Sequence, residues 1–153
     1  MHLGVCSFLE RPADGTEFAS GALPLHVTVL GNFRIDSQWA TILDLVRDAA
    51  ARLPIESHVG GDERFGPHGE WRVTVMEPIA ALNELHDGLV AAVTSRGAVL
   101  DDPHFAGDGY RAHVTWPGGI RPALDSLLTL ESLSVIDLEP DGDAHLRRVV
   151  ATV

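Results

Sequence analysis

The sequence contains the same short pattern, His-Val-Thr, once in each of its halves. His26 and Thr28 lie in the run LPLHVTVLG, and His113 and Thr115 lie in the run YRAHVTWPG. Each run is apolar and β-branched and is bounded by glycine and proline, which is typical of a strand. Side chains two positions apart on a strand point to the same face. Each run therefore places one imidazole and one hydroxyl together on one surface.

Apolar residues occupy the alternate positions of both runs and are expected to face a core: Val27, Val29, Val114 and Trp116. Two such strands side by side would present two imidazoles and two hydroxyls across one groove. Histidine titrates near neutral pH, so a pair of imidazoles can act as an acid and a base. The repeated pattern therefore suits acid–base chemistry on a phosphate.

Length and charge limit the class of protein. A chain of 153 residues with 45% hydrophobic residues fits one domain, predicted to span residues 1–153 as two similar lobes with one motif each. The formal net charge is −11, from 11 basic and 22 acidic residues. Binding to a long nucleic-acid duplex depends on phosphate neutralisation, which so acidic a chain supplies poorly. A small nucleotide or an RNA end remains an allowed partner.

The sequence carries no signal for export, for a membrane or for disulfides. Cys6 is the sole cysteine, and its apolar surroundings predict a buried, inert thiol. We find neither a secretory leader pattern nor an apolar run long enough to cross a bilayer. We expect a monomeric cytoplasmic protein with no membrane partner.

Hydrophobic periodicity predicts an α+β chain. We expect strands at 2–10, 24–30, 55–60, 71–77, 110–116, 130–139 and 145–153, with a turn-rich segment at 60–70 and a loop at 101–109. One helix is expected to follow a cap at Asp36 or Ser37 and to end near Leu53, before Pro54. A second is expected from Ile79 to Arg96, closed by Gly97. His86 on that helix is expected to be an ordinary surface or boundary residue.

The paired motifs resemble those of the 2H phosphoesterase superfamily, which includes the 2′-5′ RNA ligase-like proteins and cyclic phosphodiesterases. Further matches are Phe65-Gly66, the strand that starts at Trp71, and the helix at 79–96. The sequence departs from many members at Ala112, where they have proline, and in the final run HLRRVVATV, which lacks their tyrosine. The resemblance implies a duplicated two-lobed α+β fold. Its two mainly antiparallel sheets would form a V-shaped groove, with helices outside and the motifs at its floor.

The motif residues, read with this resemblance, predict a metal-independent phosphodiesterase without a cofactor. His26 and His113 are the expected acid and base, in an order that the sequence does not assign. Thr28 and Thr115 are expected to donate hydrogen bonds to non-bridging phosphate oxygens. The implied substrates are 2′,3′-cyclic phosphates of nucleotides or RNA ends, 2′-5′ linked nucleotides, and cyclic oligonucleotide signals.

Three further residues are candidates for substrate binding, each with a structural alternative. Arg111 shares the parity of His113, so it would bind a phosphate or form a salt bridge at the rim. Arg72 would contact the ligand or be a solvated cation. Phe65 would stack on a base or anchor its loop.

Strand parity also assigns neighbouring side chains to the core. Tyr110 shares the parity of Val114 and is expected to be buried away from the groove. Trp71, Val73 and Val75 are expected to face the core, opposite to Arg72.

Two other classes remain open at this stage. A binding module that sequesters cyclic nucleotides would keep the groove and turn over slowly or not at all. A metal-dependent hydrolase would use the acidic loop at 101–108, although its spacing matches no metal motif. Stoichiometric product release would favour the first, and loss of activity in excess EDTA the second.

Overall fold

The computed structural model describes residues 1–66, 68–116 and 120–153 and has the predicted α+β class. The strands are β1 (His2–Phe8), β2 (Glu17–Ala19), β3 (His26–Arg34), β4 (Ile55–Phe65), β5 (Trp71–Met76), β6 (Val99–Leu100), β7 (His113–Thr115), β8 (Leu127–Leu130), β9 (Ser134–Asp137) and β10 (Leu146–Thr152). The helices are α1 (Trp39–Ala50) and α2 (Ala80–Thr94). Within the described ranges, no helix is both long and apolar enough to cross a bilayer.

The strands pair antiparallel in one sheet, and neighbours in this sheet often come from distant parts of the sequence. Their order is β2-β10-β9-β1-β3-β7-β5-β4-β8, with β6 paired to β3. The two motif strands, β3 and β7, are neighbours, and their register is the pair Val27–Val114. The two motifs are therefore adjacent in the sheet, on antiparallel strands that are joined at this pair.

The alternation predicted for the motif strands is confirmed. Val27 and Val29 are 1% and 0% exposed, and Val114 is 0% exposed, whereas both histidines and both threonines of the motifs are half-buried. The helices cover the valine face with an apolar stripe: Ile42 and Val46 from α1 and Leu82, Leu85, Leu89 and Val93 from α2. Full burial of each such side chain contributes about 1.5–3 kcal/mol. This packing fixes which face of β3 and β7 carries the polar residues.

Trp116 packs less deeply than the valines. Its ring is half-buried, and its indole N–H donates to the Thr74 hydroxyl at 2.7 Å. The proline and glycines that bound the second motif run are residues 117–119, which lie outside the described residues.

Several element boundaries differ from those predicted. Helix α1 begins at Trp39, and its preceding residue, Gln38, makes no side-chain cap, so the predicted cap at Asp36 or Ser37 is wrong. Strand β4 continues to Phe65 through the segment predicted as a turn, because it pairs with β5 as far as Phe65–Trp71. Three short strands, β2, β6 and β8, are also additional to the prediction. Each has at most four residues, too few for a periodic signal.

Candidate functional site

The two motif histidines make the same hydrogen bond. His26 Nδ1 lies 2.7 Å from the carbonyl oxygen of Pro24, and His113 Nδ1 lies 2.7 Å from that of Arg111. In each case the acceptor belongs to the residue two positions earlier. A carbonyl oxygen only accepts, so Nδ1 must carry the hydrogen. The Nε2 of each neutral ring is consequently the nitrogen left to accept or deliver a proton.

The pKa of both rings is lowered, by burial for His26 and by burial and nearby positive charge for His113. Desolvation is the main cause for His26, and the Pro24 carbonyl acts in the opposite direction. Desolvation also dominates the lowered pKa of His113; its hydrogen bond to the Arg111 carbonyl opposes this, while the positive charges of His26 and Arg111 lower it further. Because each proton on one ring disfavours a proton on the other, the pair favours states with at most one charge.

A cavity of about 710 Å³ contains Thr28, His113 and Thr115 in its wall. On β7, Thr115 and His113 lie opposite Val73 and Val75 of β5, so these four side chains share a face. His26 follows at the adjoining end of β3, on the same face as Thr28, with its ring 5.6 Å from Phe8 in an edge-on arrangement. The structure thus brings three of the four predicted catalytic residues into one cavity and places the fourth beside it.

Arg111 and Phe65 also line the cavity, next to His113. The Phe65 ring is 4.7 Å from the His113 ring in an edge-on arrangement, and the Arg111 guanidinium carbon is 5.4 Å from the centre of the Phe65 ring. Arg111 also forms a bidentate ion pair with Glu63, at 2.6 and 2.7 Å. The structural alternative considered for Arg111, a salt bridge, therefore occurs, and Arg111 still lines the cavity. Phe65 ends strand β4 and packs on His113, so it is not the loop anchor considered for it.

Sequence reasoning missed Glu63. Its position two residues before Phe65 would give it the same face of a strand, but that signal requires knowing that β4 extends this far. The Arg111 guanidinium hydrogen bond is the main cause of the lowered pKa of Glu63, which favours the carboxylate.

The predicted faces of β5 are wrong. Trp71 is 52% exposed and lies in the cavity wall together with Val73, rather than in the core beneath the helices. Arg72 is on the opposite face, where its guanidinium carbon lies 6.0 Å from the centre of the Trp116 ring. This corrects the predicted place of Arg72 at the groove. The error arises because apolar residues were assigned to the core, whereas here they line a cavity.

Tyr110 and His86 form a second part of the wall that the sequence did not predict. Tyr110 packs against the core, as expected, but it also lines the cavity, and its hydroxyl donates to the Thr28 carbonyl at 3.0 Å. Its ring stacks on that of His86 with ring centres 3.9 Å apart. His86 is only 2% exposed, so its predicted surface position is wrong.

The ring of His86 connects three segments. Its Nδ1 lies 2.7 Å from the Val29 carbonyl oxygen, and its Nε2 accepts the Gly107 N–H at 3.2 Å. One nitrogen donates and the other accepts. Helix α2 is thereby tied both to the first motif strand and to the loop at 101–109.

Cys6, Asp101 and Asp102 near the site are each held by burial or by a hydrogen bond within the protein. Cys6 lies opposite Thr28 on β1, is 4% exposed, and has its pKa raised by burial, which agrees with the predicted inert thiol. Asp101 meets His2 Nε2 at 2.7 Å, and Asp102 accepts the His104 N–H at 3.3 Å. Across the described residues, no group of three or more His, Cys, Asp or Glu side chains is placed to hold a metal ion.

Comparisons with known proteins give the family and the fold of the chain. A family profile described as the 2′-5′ RNA ligase superfamily matches residues 11–150. The crystal structure of TT0787 of Thermus thermophilus superposes with a TM-score of 0.61 at 19% identity, covering 99% of this chain and 96% of that one. A crystal structure described as a phosphoesterase gives a TM-score of 0.55 at 13% identity, covering 88% of this chain and 86% of that one. Among curated proteins, none matches the chain significantly.

Proposed function

Because the chain belongs to the 2′-5′ RNA ligase superfamily, we propose that it is a metal-independent phosphodiesterase that uses His26 and His113 as its acid and base. Its proposed substrate is a 2′,3′-cyclic phosphate on a nucleotide or RNA end, or a 2′-5′ linked nucleotide. The observation that carries the proposal is the matched pair of Nδ1 hydrogen bonds to Pro24 and Arg111. Because these bonds occupy Nδ1 in both histidines, Nε2 is the nitrogen available for proton transfer in each ring.

The proposed reaction needs one proton removed and one proton supplied. One imidazole takes a proton from a water molecule while the oxygen of that water forms a bond to phosphorus. The bond from phosphorus to the ribose oxygen breaks, and the other imidazole gives its proton to that oxygen. The products are a phosphomonoester and a free hydroxyl. General acid–base catalysis of this kind contributes about 10²–10⁴-fold to the rate.

Thr28 and Thr115 complete the proposed machinery. Both residues are on the polar face of the motif strands and line the cavity. Each hydroxyl would donate to a non-bridging oxygen, where negative charge grows in the transition state. Arg111, at the same wall, would add a positive charge close to the phosphate.

A substrate panel with and without EDTA tests the proposal. The panel contains 2′,3′-cyclic mononucleotides, 2′-5′ linked dinucleotides, and cyclic di- and trinucleotides. We expect multiple turnovers on at least one of the first two classes, at the same rate in excess EDTA. Product equal only to the amount of protein would instead indicate a sequestering module, and activity lost in EDTA would indicate a metal-dependent hydrolase. Turnover of the cyclic di- or trinucleotides alone would indicate that the substrate is a cyclic oligonucleotide signal.

A further inference from the structure

Strand β3 carries a β-bulge immediately after Thr28. On β1, Cys6 pairs with Thr28. The adjacent Val5 pairs with Leu30, which leaves Val29 as an extra residue on β3. The alternation of burial stops at the same place, because Val29 and Leu30 are 0% and 1% exposed. A bulge interrupts the ladder and turns the side chains next to it, so the direction of the Thr28 side chain depends on how this bulge is held.

The other edge of β3 has no neighbouring strand over the same stretch. In the described part of the chain, β7 pairs with β3 only at Val27, and β6 pairs with it only at Phe33 and Arg34. Residues 28–32 lie between these two points, so the sheet supports them from one side alone. A catalytic group must nevertheless be kept within about 0.5 Å of its working position. The segment that begins at Thr28 therefore needs a support from outside the sheet.

The stacked rings of Tyr110 and His86 supply this support. The Tyr110 hydroxyl donates to the Thr28 carbonyl at 3.0 Å, and His86 Nδ1 lies 2.7 Å from the carbonyl oxygen of Val29. The two rings are parallel to within 3°, with their centres 3.9 Å apart. Consecutive carbonyl groups of a regular strand point to opposite edges, so one compact pair of rings reaches both of these only because of the bulge.

Both donors are fixed by their surroundings. The Gly107 N–H donates to His86 Nε2 at 3.2 Å, so that nitrogen carries the lone pair and Nδ1 carries the hydrogen that faces Val29. Burial raises the pKa of Tyr110, so its hydroxyl keeps the hydrogen that it donates. His86 is 2% exposed, and water has little access to take over its bonds.

We propose that Tyr110 and His86 are positioning residues for Thr28, because their hydrogen bonds to the Thr28 and Val29 carbonyls hold the bulge that points the Thr28 hydroxyl into the cavity. Both residues act on the reaction through Thr28 and not by contact with the phosphate. The inference rests on the proposed function, in which Thr28 donates to a non-bridging phosphate oxygen. It extends the support of the first motif to helix α2 and to the segment that precedes the second motif.

A double-mutant cycle in kcat tests whether Tyr110 acts through Thr28. Tyr110→Phe removes the hydroxyl and keeps the ring that stacks on His86. On the best substrate of the panel, we expect it to lower kcat by about ten-fold with KM little changed, because a displaced Thr28 hydroxyl is missed mainly in the transition state. In the Thr28→Val background the same change should have almost no further effect, since no hydroxyl remains to be positioned. In the Thr115→Val background it should again cost about ten-fold.

Ser57→Ala is the matched control for the lost hydroxyl. Ser57 is 3% exposed and its hydroxyl donates to the Glu77 carbonyl at 2.8 Å, so this change also removes a buried bond from a hydroxyl to the backbone. Ser57 lies outside the cavity, and we expect the parent kcat in this variant. A parent kcat in Tyr110→Phe would overturn the inference. An equal loss from Tyr110→Phe in the parent, Thr28→Val and Thr115→Val proteins would also overturn it, because a general loss of stability does not depend on the Thr28 hydroxyl.

Two NMR measurements test the hold on the bulge without requiring turnover. We expect Tyr110→Phe to quicken amide hydrogen exchange over residues 28–32 by about five-fold, as for one lost hydrogen bond, and Ser57→Ala to leave it unchanged there. The nitrogen spectrum of the parent should place the ring hydrogen of His86 on Nδ1. Unchanged exchange in Tyr110→Phe, or a hydrogen on Nε2 of His86, would overturn the inference.

The outcomes separate this inference from the proposed function. If exchange at 28–32 quickens in Tyr110→Phe but the parent hydrolyses no phosphodiester, the hold on the bulge stands and the proposed function fails. If the parent turns over and Tyr110→Phe costs the same factor with and without the Thr28 hydroxyl, the proposed function stands and the positioning role fails.

Discussion

Arg111 and Glu63 form a bidentate ion pair, with Nη1 2.7 Å from Oε2 and Nη2 2.6 Å from Oε1. The pair lies beside the Phe65 ring, which packs on His113. Arg111 therefore serves His113 in two ways. Its carbonyl orients the imidazole, and its guanidinium charge lowers the pKa of that imidazole. Glu63 partly neutralises this charge and holds the side chain over Phe65.

Replacing either member of the ion pair should move the pKa of His113, in opposite directions. Arg111→Gln removes a positive charge near the ring, so the imidazolium becomes easier to form and the pKa rises. Glu63→Gln removes the charge that offsets Arg111, so the pKa falls. A proton NMR titration of the His113 ring measures both, with Arg72→Gln as a control on the opposite face of β5. Shifts of the same sign in the two variants would contradict this electrostatic account.

The pH dependence of kcat/KM should be bell-shaped, with its maximum on the acid side of pH 6.5. Both histidines have a pKa below the ordinary 6.5, and the active form needs one neutral and one protonated ring. At higher pH the acid loses its proton, and at lower pH the base gains one. A rate profile on a 2′,3′-cyclic mononucleotide measures this. A flat profile across this region, or a maximum well above pH 6.5, would be inconsistent with the pair.

The motif threonines should contribute through their hydroxyls. Thr28→Val and Thr115→Val keep the shape and remove the donor, and each should lower kcat by about 10²-fold, as for a lost oxyanion donor. The serine variants keep the donor and should recover most of the rate. Thr129→Val, on the exposed edge strand β8, is the control. Equal rates for the serine and valine variants would show that the hydroxyls do not act on the substrate.

His86 should hold the loop at 101–109 against the first motif strand. His86→Ala removes the ring between the Val29 carbonyl and the Gly107 N–H, at a cost of about 3 kcal/mol in the free energy of unfolding. Urea denaturation measures this cost, and amide hydrogen exchange should quicken most at 101–109. Leu89→Ala, equally buried on α2 but without such hydrogen bonds, is the control. The same exchange pattern in both variants would argue against a specific link.

The sequence predicted the motif strands and the family because both depend on local pattern. Val27 and Val114 alternate with the polar motif residues, and alternation on a strand is fixed by backbone geometry. The α+β class is confirmed, and the profile match confirms the family. The partner of Arg111 was not predictable, because Glu63 reaches it only after β4 and β5 pair across a turn.

The cavity wall was harder to predict for the same reason. Trp71 and Val73 are apolar, and hydropathy does not distinguish a core from a ligand cavity. Tyr110 and His86 meet because the loop at 101–109 folds back on α2 through the Gly107 hydrogen bond. Such contacts between distant segments leave no periodic signal in the chain.

The most direct test of the two-histidine account is the rate of each single-histidine variant. The measurement is kcat/KM on the best 2′,3′-cyclic nucleotide for the parent, His26→Ala and His113→Ala, with His145→Ala as an exposed control outside the cavity. The account predicts a loss of at least about 10²-fold in both motif variants, parent rates in the control, and thermal unfolding that shows all four proteins folded. A folded His26→Ala or His113→Ala protein with a rate near that of the parent would contradict it.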